Sequence, residues 1–190
     1  ALITYMRTDS TQISGTAMKE CRSFIEDTYG KDYLPEKPRY FKSQQRAQEA
    51  HEAIRPTDVA ITPESIEDYL STDQYKLYKI IWEQFVASQV KNAVYNSTTL
   101  VIRAGEYLLT AQGREMVFNG YTKVTGSVKK EIDKQQFPPL ADGEELDVLS
   151  VDPSQHFTHP PNRYTQASLI RTLEKEGIGR PSTYAIILTT

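Results

Sequence analysis

A tyrosine and an arginine near the start of the chain are the first residues that could do chemistry. Tyr5 and Arg7 flank Met6 within the polar segment 3–11. A phenol oxygen can attack carbon or phosphorus to form a covalent intermediate. Because the phenol pKa is normally ~10, this attack needs a base, a cation or a metal nearby. Arg7 could be that cation and could stabilise a charged phosphoryl transition state. The alternative, which composition alone favours, is a strand-edge aromatic followed by a surface pair of Arg7 and Asp9.

His51 and Arg55 form a second candidate. They are four residues apart and would share one face of a helix. An imidazole and a guanidinium placed in this way could bind one phosphate. The alternative is a solvated helix end at which the Glu52 carboxylate pairs locally. The segment is not a zinc motif, because no second histidine follows at helical spacing.

A third candidate surrounds two glycines near the other end of the chain. Gly177 and Gly179 precede Arg180, and the hydroxyl residues Ser182 and Thr183 follow. Backbone N–H groups at a helix start could cradle a phosphate there. The segment lacks the Gly-Lys-Ser/Thr sequence of a P-loop. A helix C-cap followed by an N-cap would use the same residues.

Helices are expected to position the first two candidates. Ser14 is a candidate N-cap for a helix that ends at Gly30, and Thr62-Pro63 marks another helix start. Residues 73–93 form the longest periodic segment, which predicts an amphipathic helix. Trp82 is expected to seal the core beside a buried stripe made of Leu77, Ile80, Ile81 and Phe85.

The middle of the chain changes to a β pattern. The predicted strands are 95–103, 107–112, 115–118 and 144–151, and the predicted hairpin turns are Ala104-Gly105 and Gln112-Gly113. These segments indicate a small antiparallel sheet or a partial barrel. Beyond it, Thr165 is expected to cap a helix that ends at Gly177, and a last helix follows Arg180.

The composition and net charge of the chain argue against several classes of protein. The 190 residues carry a net charge of −3, with −5 in residues 61–155 and +2 in residues 156–190. This charge argues against a freestanding nucleic-acid binder that relies on bulk charge. The single cysteine excludes an internal disulfide or a cysteine-based metal cage. No membrane-spanning run or signal peptide is visible. Apolar residues at both ends lead us to expect a segment of a longer protein.

The three candidate segments together resemble the type IA DNA topoisomerases. Residues 3–11 resemble the family's active-site tyrosine segment, residues 50–58 its second signature and residues 167–185 its third, in the same order. The resemblance covers nearly the whole chain and is nearest to the bacterial topoisomerase I branch, because topoisomerase III relatives usually have proline at the position of Met6. Reverse gyrase shares the tyrosine motif and is the alternative within the family.

The resemblance implies roles for the first two segments. Tyr5 would attack a DNA phosphodiester to give a 5′-phosphotyrosyl enzyme and a free 3′-hydroxyl. Arg7 would position the scissile phosphate and stabilise its charge. His51 would donate a hydrogen bond near that phosphate, with Asp9 orienting the imidazole. Arg55 would support the site and could be structural.

The resemblance also implies partners and a cofactor. Arg180, with Ser182 or Thr183, would contact the DNA backbone, and Arg171 is a further DNA-binding candidate. The substrate would be single-stranded and negatively supercoiled DNA, relaxed without ATP in the bacterial cytoplasm, at the nucleoid. Mg²⁺ would be bound by a domain absent from this chain, for which we expect no metal ligand here. The other partner would be the rest of the same polypeptide.

The expected fold class is α+β. By resemblance, residues 1–92 would form a helical gate domain with the active-site tyrosine. Residues 93–155 would form part of a β-rich arch, incomplete or completed by another copy. Residues 156–190 would begin a helical DNA-binding domain. This chain alone is expected to be inactive. A non-catalytic helical module that binds DNA or protein, or a purely structural helical domain, would use the same surfaces.

Overall fold

The structure is a computed structural model that describes residues 1–8, 10–41, 52–126 and 137–189. The chain divides into two compact units, Ala1–Pro138 and Pro139–Thr190. Both units contain helices, and the first also contains an antiparallel sheet, which confirms the α+β class.

Within the described residues, five α-helices and two strands follow one another. The α-helices are α1 (Gly15–Tyr29), α2 (Thr72–Ser88), α3 (Thr122–Thr125), α4 (Gln166–Lys175) and α5 (Pro181–Thr189). The strands are β1 (Val94–Ala104) and β2 (Tyr107–Phe118). Short 3-10 helices cover Lys31–Tyr33 and Pro63–Tyr69. The helix start predicted at Thr62-Pro63 is therefore present, in the tighter 3-10 form.

Helix α1 forms where the sequence predicts it. The Ser14 hydroxyl accepts a hydrogen bond from the Ala17 N–H at 3.3 Å, which satisfies one of the unpaired donors of the first turn. Gly30 ends the helix at φ 95°, a conformation that a residue with a side chain rarely adopts. The buried face of α1 carries Ala17, Cys21 and Ile25 into the core.

Helix α2 supplies the other half of the core, through a face that includes the predicted Phe85 and Trp82 but not the whole predicted stripe. Its buried core residues are Tyr78, Trp82, Phe85 and Val86. The Trp82 indole donates to the Val59 carbonyl at 2.9 Å, which confirms its sealing role. Leu77 and Ile80 are exposed, so their assignment to the core was wrong. Contacts with α1 and with Val59 select the face of Trp82 and leave these two residues outside.

Helix α2 is also shorter than predicted. It ends at Ser88 rather than at residue 93, and Gln89 is its C-cap. The buried Gln89 side chain forms two hydrogen bonds with Arg39, donating to its carbonyl and accepting from its N–H, both at 3.1 Å. A buried amide with both ends paired costs little desolvation energy, so the residue can fix the loop before residue 41.

Strands β1 and β2 form one long antiparallel hairpin. Gly105, at φ 63°, lies in the connecting turn, which confirms the turn predicted at Ala104-Gly105. The turn predicted at Gln112-Gly113 was wrong, because Gly113 pairs with Thr98 inside β2. The two short strands predicted on either side of it are therefore one strand. Tyr33 ties the base of the hairpin to the helices, since its hydroxyl donates to Asn119 Oδ1 at 2.7 Å.

The unit Pro139–Thr190 contains α4 and α5. Thr165 and Ser168 form a capping box at the start of α4, as the sequence predicts. Gly177, at φ 71°, follows the helix end and confirms the predicted stop. The strand predicted over residues 144–151 is absent from the described structure of this unit, where no second strand is available to pair with it. No described residue of the unit is fully buried.

Candidate active site

Backbone pairing fixes the residues that precede Tyr5. Ile3 forms an antiparallel bridge with Pro56. The Thr4 N–H donates to the Arg55 carbonyl at 2.9 Å, and the Thr57 N–H donates to the Leu2 carbonyl at 3.0 Å. The chain therefore enters the tyrosine position from a short, paired extended segment.

The Thr4 side chain adds to this pairing. Its hydroxyl donates to the Ala53 carbonyl at 2.8 Å and accepts from the Arg55 N–H at 3.0 Å. Tyr5 follows directly and is 81% exposed. The structure thus holds the residue before the phenol by both its backbone and its side chain, while the phenol itself faces solvent.

The chain after Tyr5 also forms hydrogen bonds with the segment that contains Ala53 and Arg55. The Ala53 N–H donates to the Gln12 carbonyl at 2.7 Å, and the Ser14 N–H donates to Glu52 Oε1 at 2.9 Å. Residues 52–57, which we call the anchor segment, therefore bind the chain on both sides of Tyr5. Just before Gln12, the Thr11 hydroxyl donates a hydrogen bond to the Phe41 carbonyl at 3.2 Å.

Arg7 lies on the same turn as Tyr5. Its N–H donates to the Tyr5 carbonyl at 3.0 Å, which closes a tight turn at Met6. Met6 is exposed, whereas Arg7 is half-buried. The turn thus brings the backbones of Tyr5 and Arg7 together. Asp9 and His51 lie outside the described residues.

Arg55 is held by the Glu52 carboxylate. Its Nε donates to Oε1 at 2.8 Å and its Nη2 donates to Oε2 at 3.2 Å. Its remaining nitrogen, Nη1, donates to the Pro56 carbonyl at 2.8 Å. Every nitrogen of the guanidinium is therefore paired within the anchor segment, which matches the structural alternative weighed for this residue. Residues 52–57 form no helix, so the shared helix face expected for residue 55 is not present.

Electrostatics favour the ionised form of Glu52. Partial burial raises the pKa of its carboxyl, but the hydrogen bonds from Arg55 and from the Ser14 N–H outweigh that effect and leave the pKa below its usual value. The carboxylate therefore stays charged at neutral pH and can accept all three of these hydrogen bonds.

The residues of the third candidate lie in the other unit. Thr183 Oγ1 accepts from the Arg180 N–H at 2.8 Å and donates to the Arg180 carbonyl at 2.9 Å. Its hydroxyl thus closes the first turn of α5, as the capping interpretation predicts. Arg180, Ser182 and Arg171 are exposed. These positions are consistent with contact to an external anion, and their DNA-binding role stays a prediction.

Sequence reasoning missed Thr4 and gave Glu52 only a local pairing role. Neither residue type is informative alone, because threonine and glutamate are common in polar loops. The identity of their partners depends on a contact between segments about fifty positions apart. The only available signal was the density of polar residues around both segments.

The described part of the chain contains neither a cluster of metal ligands nor a helix that could span a membrane. Across residues 1–8, 10–41, 52–126 and 137–189, no three histidine, cysteine or acidic side chains lie together in a way that could hold a metal ion. Within the same ranges, no helix is long and apolar enough to cross a membrane.

Comparison with known proteins identifies relatives along the full chain. A family model described as DNA topoisomerase matches residues 1–190. The chain is 50% identical over 188 residues to DNA topoisomerase 1 of Salmonella typhimurium and 52% identical to that of Vibrio cholerae. These alignments cover 99% of this chain but 22% and 21% of the relatives, so the chain spans about a fifth of their length.

A solved structure is similar over the same range. Full-length topoisomerase I from Thermotoga maritima matches with a TM-score of 0.80 and 41% sequence identity. The match covers 100% of this chain and 30% of that one.

Proposed function

The chain belongs to the DNA topoisomerase family as a segment of a bacterial type IA topoisomerase I, and we propose that Tyr5 is the nucleophile that breaks one DNA strand. The phenol oxygen forms a bond to phosphorus as the bond from phosphorus to the 3′-oxygen breaks. The phenol loses its proton and the 3′-oxygen gains one. Religation reverses these steps, and the phosphoester bond is conserved, so the reaction needs no ATP.

The placement of Tyr5 is the observation that carries this proposal. A nucleophile must be accessible to a large substrate and held in a reactive geometry. Tyr5 is 81% exposed, and the anchor segment holds the chain on both sides of it. An exposed tyrosine at a frayed terminus would satisfy only the first of these requirements.

Arg7 is proposed to position the scissile phosphate. It follows Tyr5 in a closed turn, where a guanidinium can reach a phosphate that the phenol attacks. His51 and Asp9 are proposed to assist at that phosphate, with the carboxylate orienting the imidazole. Arg55 is proposed to support the site from the anchor segment.

The remaining proposals concern DNA and architecture. We propose that Arg180, Ser182, Thr183 and Arg171 contact the DNA backbone. Residues 1–92 would be the moving gate, 93–155 part of the arch and 156–190 the start of a DNA-binding region. The substrate would be single-stranded and negatively supercoiled DNA at the bacterial nucleoid.

Mg²⁺ is proposed to act from a part of the longer protein. The described residues contain no cluster of ligands that fits a divalent cation. Such an ion would supply charge stabilisation at the phosphate when bound, and its ligands would come from another region of the polypeptide. Because the family resemblance assigns these ligands to a domain outside this chain, we expect this chain alone to be inactive.

A covalent-adduct assay tests the nucleophile. The longer protein that contains this chain is mixed with Mg²⁺ and a single-stranded oligonucleotide labelled on the 3′ side of the scissile bond, then denatured and run on a gel. A labelled, protease-sensitive band is expected. The band should disappear in Tyr5→Phe, because the variant lacks only the attacking oxygen.

Tyr40→Phe is the matched control. Tyr40 is also exposed but lies outside the turn and the anchor segment, so its variant should form the adduct normally. An adduct that persists in Tyr5→Phe would overturn the proposal. A protein that binds the oligonucleotide yet forms no adduct would favour a non-catalytic binding module.

A further inference from the structure

We propose that Glu52 is a positioning residue for the attack by Tyr5, acting through Arg55 and Thr4 rather than by contact with DNA. This inference rests on the proposed function of Tyr5 as the nucleophile. It assigns a function to a carboxylate that the sequence pattern left as a local ion-pair partner.

The first step is that Glu52 joins two elements with one side chain. Its Oε1 accepts from the Ser14 N–H at the start of α1, at 2.9 Å, and from Arg55 Nε at 2.8 Å. Its Oε2 accepts from Arg55 Nη2 at 3.2 Å. The carboxylate thus links the helix that follows the tyrosine turn to the segment that pairs with the residues before it. A negative charge at a helix N-terminus adds to this link.

The second step is that Arg55 transmits this link to Thr4. The Arg55 N–H donates to the Thr4 hydroxyl at 3.0 Å, and the Arg55 carbonyl accepts from the Thr4 N–H at 2.9 Å. The Arg55 side chain is 12% exposed, and its guanidinium is aligned by Glu52. Thr4 is the residue before Tyr5, so the position of Arg55 determines where the backbone of Tyr5 lies.

The third step is that a neutral amide cannot replace the carboxylate. Glutamine has one acceptor oxygen, and its NH₂ group is a donor. With its oxygen at the position of Oε1, glutamine would place its NH₂ group against Arg55 Nη2, donor to donor; in the flipped orientation, the Ser14 N–H and Arg55 Nε would both lose their acceptor. The Glu52→Gln variant therefore keeps the side-chain size but loses the charge and the two-oxygen contact that aligns the Arg55 guanidinium.

The test measures single-turnover cleavage of an oligonucleotide by the longer protein at saturating DNA, well below the unfolding temperature. Glu52→Gln is expected to cleave about tenfold more slowly, because displacement of a nucleophile from its reactive geometry has effects of that size or larger. The dissociation constant for DNA should stay within about twofold, since Glu52 is not placed to contact the backbone.

Glu64→Gln is the matched control. Its carboxylate is exposed and meets Lys79 only at 3.8 Å, so its cleavage rate should match that of the parent protein within about twofold. Arg55→Lys is the second variant, because it keeps the positive charge but loses the two-nitrogen contact with Glu52. It should also cleave more slowly, and it tests the proposal if Glu52→Gln does not fold.

The outcomes separate this inference from the proposed function. If Tyr5→Phe still cleaves DNA, the proposed function fails. If Tyr5→Phe is inactive while folded Glu52→Gln cleaves at the parent rate, the positioning role alone is overturned. A purely structural role would lower the unfolding temperature and leave this cleavage rate unchanged, which also overturns it. If Glu52→Gln does not fold, cleavage at the parent rate by Arg55→Lys overturns the role as well.

Discussion

The two compact units of this chain form helices from the same local signals but stabilise them differently. In Ala1–Pro138, α1 and α2 bury a shared core that includes Ile25, Val86 and Trp82. In Pro139–Thr190, α4 begins at a capping box and α5 at a turn closed by Thr183, yet no described residue of the unit is fully buried. Caps determine where a helix starts, whereas the packing of an apolar face supplies most of its stability.

This difference bears on the two sets of candidate site residues. Tyr5 belongs to the unit with the core, and contacts with residues 52–57 fix its position. Arg180 belongs to the other unit, where a local cap fixes its backbone. A nucleophile requires fixed geometry, while a contact to a DNA phosphate tolerates adjustment of a long side chain.

The thiol of Cys21 should be nearly inert in the folded chain. Burial raises its pKa to about 12, and the charge of Arg22 only partly opposes this effect. Relative to an exposed thiol of pKa ~8.5, its thiolate fraction at pH 8 is lower by roughly a thousand-fold or more. Alkylation by iodoacetamide, followed by mass spectrometry, should therefore be slower by at least that factor, because burial also blocks access.

An exposed cysteine in the other unit provides the reference for this experiment. Ala141→Cys, made with Cys21→Ser, places the thiol in an exposed loop and should react at the rate of a free thiol. If native Cys21 reacted at a similar rate, the core between α1 and α2 would open often, and the contrast between the units would be lost.

Removing the Trp82 side chain should destabilise the first unit strongly. The indole is buried, donates to Val59, and meets Phe24 edge to face with ring centroids 5.6 Å apart. Trp82→Ala should lower the free energy of unfolding by about 3–5 kcal/mol, as is usual for large aromatic residues in cores. Urea unfolding followed by circular dichroism measures this change.

Ile80→Ala on the same helix tests the exposed face. Ile80 is 58% exposed, so its truncation should change the free energy of unfolding by less than about 0.5 kcal/mol. A large loss in Ile80→Ala would mean that the face predicted from the sequence is the buried one after all.

Gly120 should not tolerate a side chain. Its φ is 47°, and a Cβ atom would lie 2.4 Å from the carbonyl carbon of Asn92. Gly120→Ala should cost about 1–3 kcal/mol from backbone strain, and displacement of the Asn92 backbone adds to this cost. Thermal unfolding measures the effect. Gly15→Ala is the control, since nothing lies within 4 Å of its added Cβ, and an equal loss in both variants would contradict the steric explanation.

The sequence predicted local features well and tertiary contacts poorly. Ser14, Gly30 and Thr165 each limit a helix where expected, because caps depend on residues within one turn. Leu77 was misplaced because two overlapping apolar faces of α2 satisfy helical spacing, and only the contact with α1 selects between them. Gly113 was misread as a turn because pairing with Thr98 overrides its local preference.

The candidate site follows the same division. Tyr5 and Arg7 are candidates because their residue types carry chemistry, and the turn between them is local. The Glu52 link to Ser14 was not found, since the two residues are 38 positions apart. Pairing between distant segments leaves little trace in a single sequence, so the residues that hold a candidate nucleophile are harder to predict than the candidate itself.

Loss of a helix cap should have equal local cost but different consequences in the two units. Thr165→Ala removes the side-chain acceptor of α4, and Ser14→Ala removes that of α1, each costing about 1 kcal/mol. Packing retains α1, so Ser14→Ala should lower the unfolding temperature without lowering native helix content. Helix α4 has ten residues and no buried side chain, so it lacks that support, and Thr165→Ala should melt the helix locally.

Amide hydrogen exchange should detect this melting as faster exchange confined to α4. Thr165→Ser keeps the acceptor and should restore protection. Unchanged exchange in Thr165→Ala would show that contacts beyond the cap hold α4, and the units would then differ less than their burial indicates.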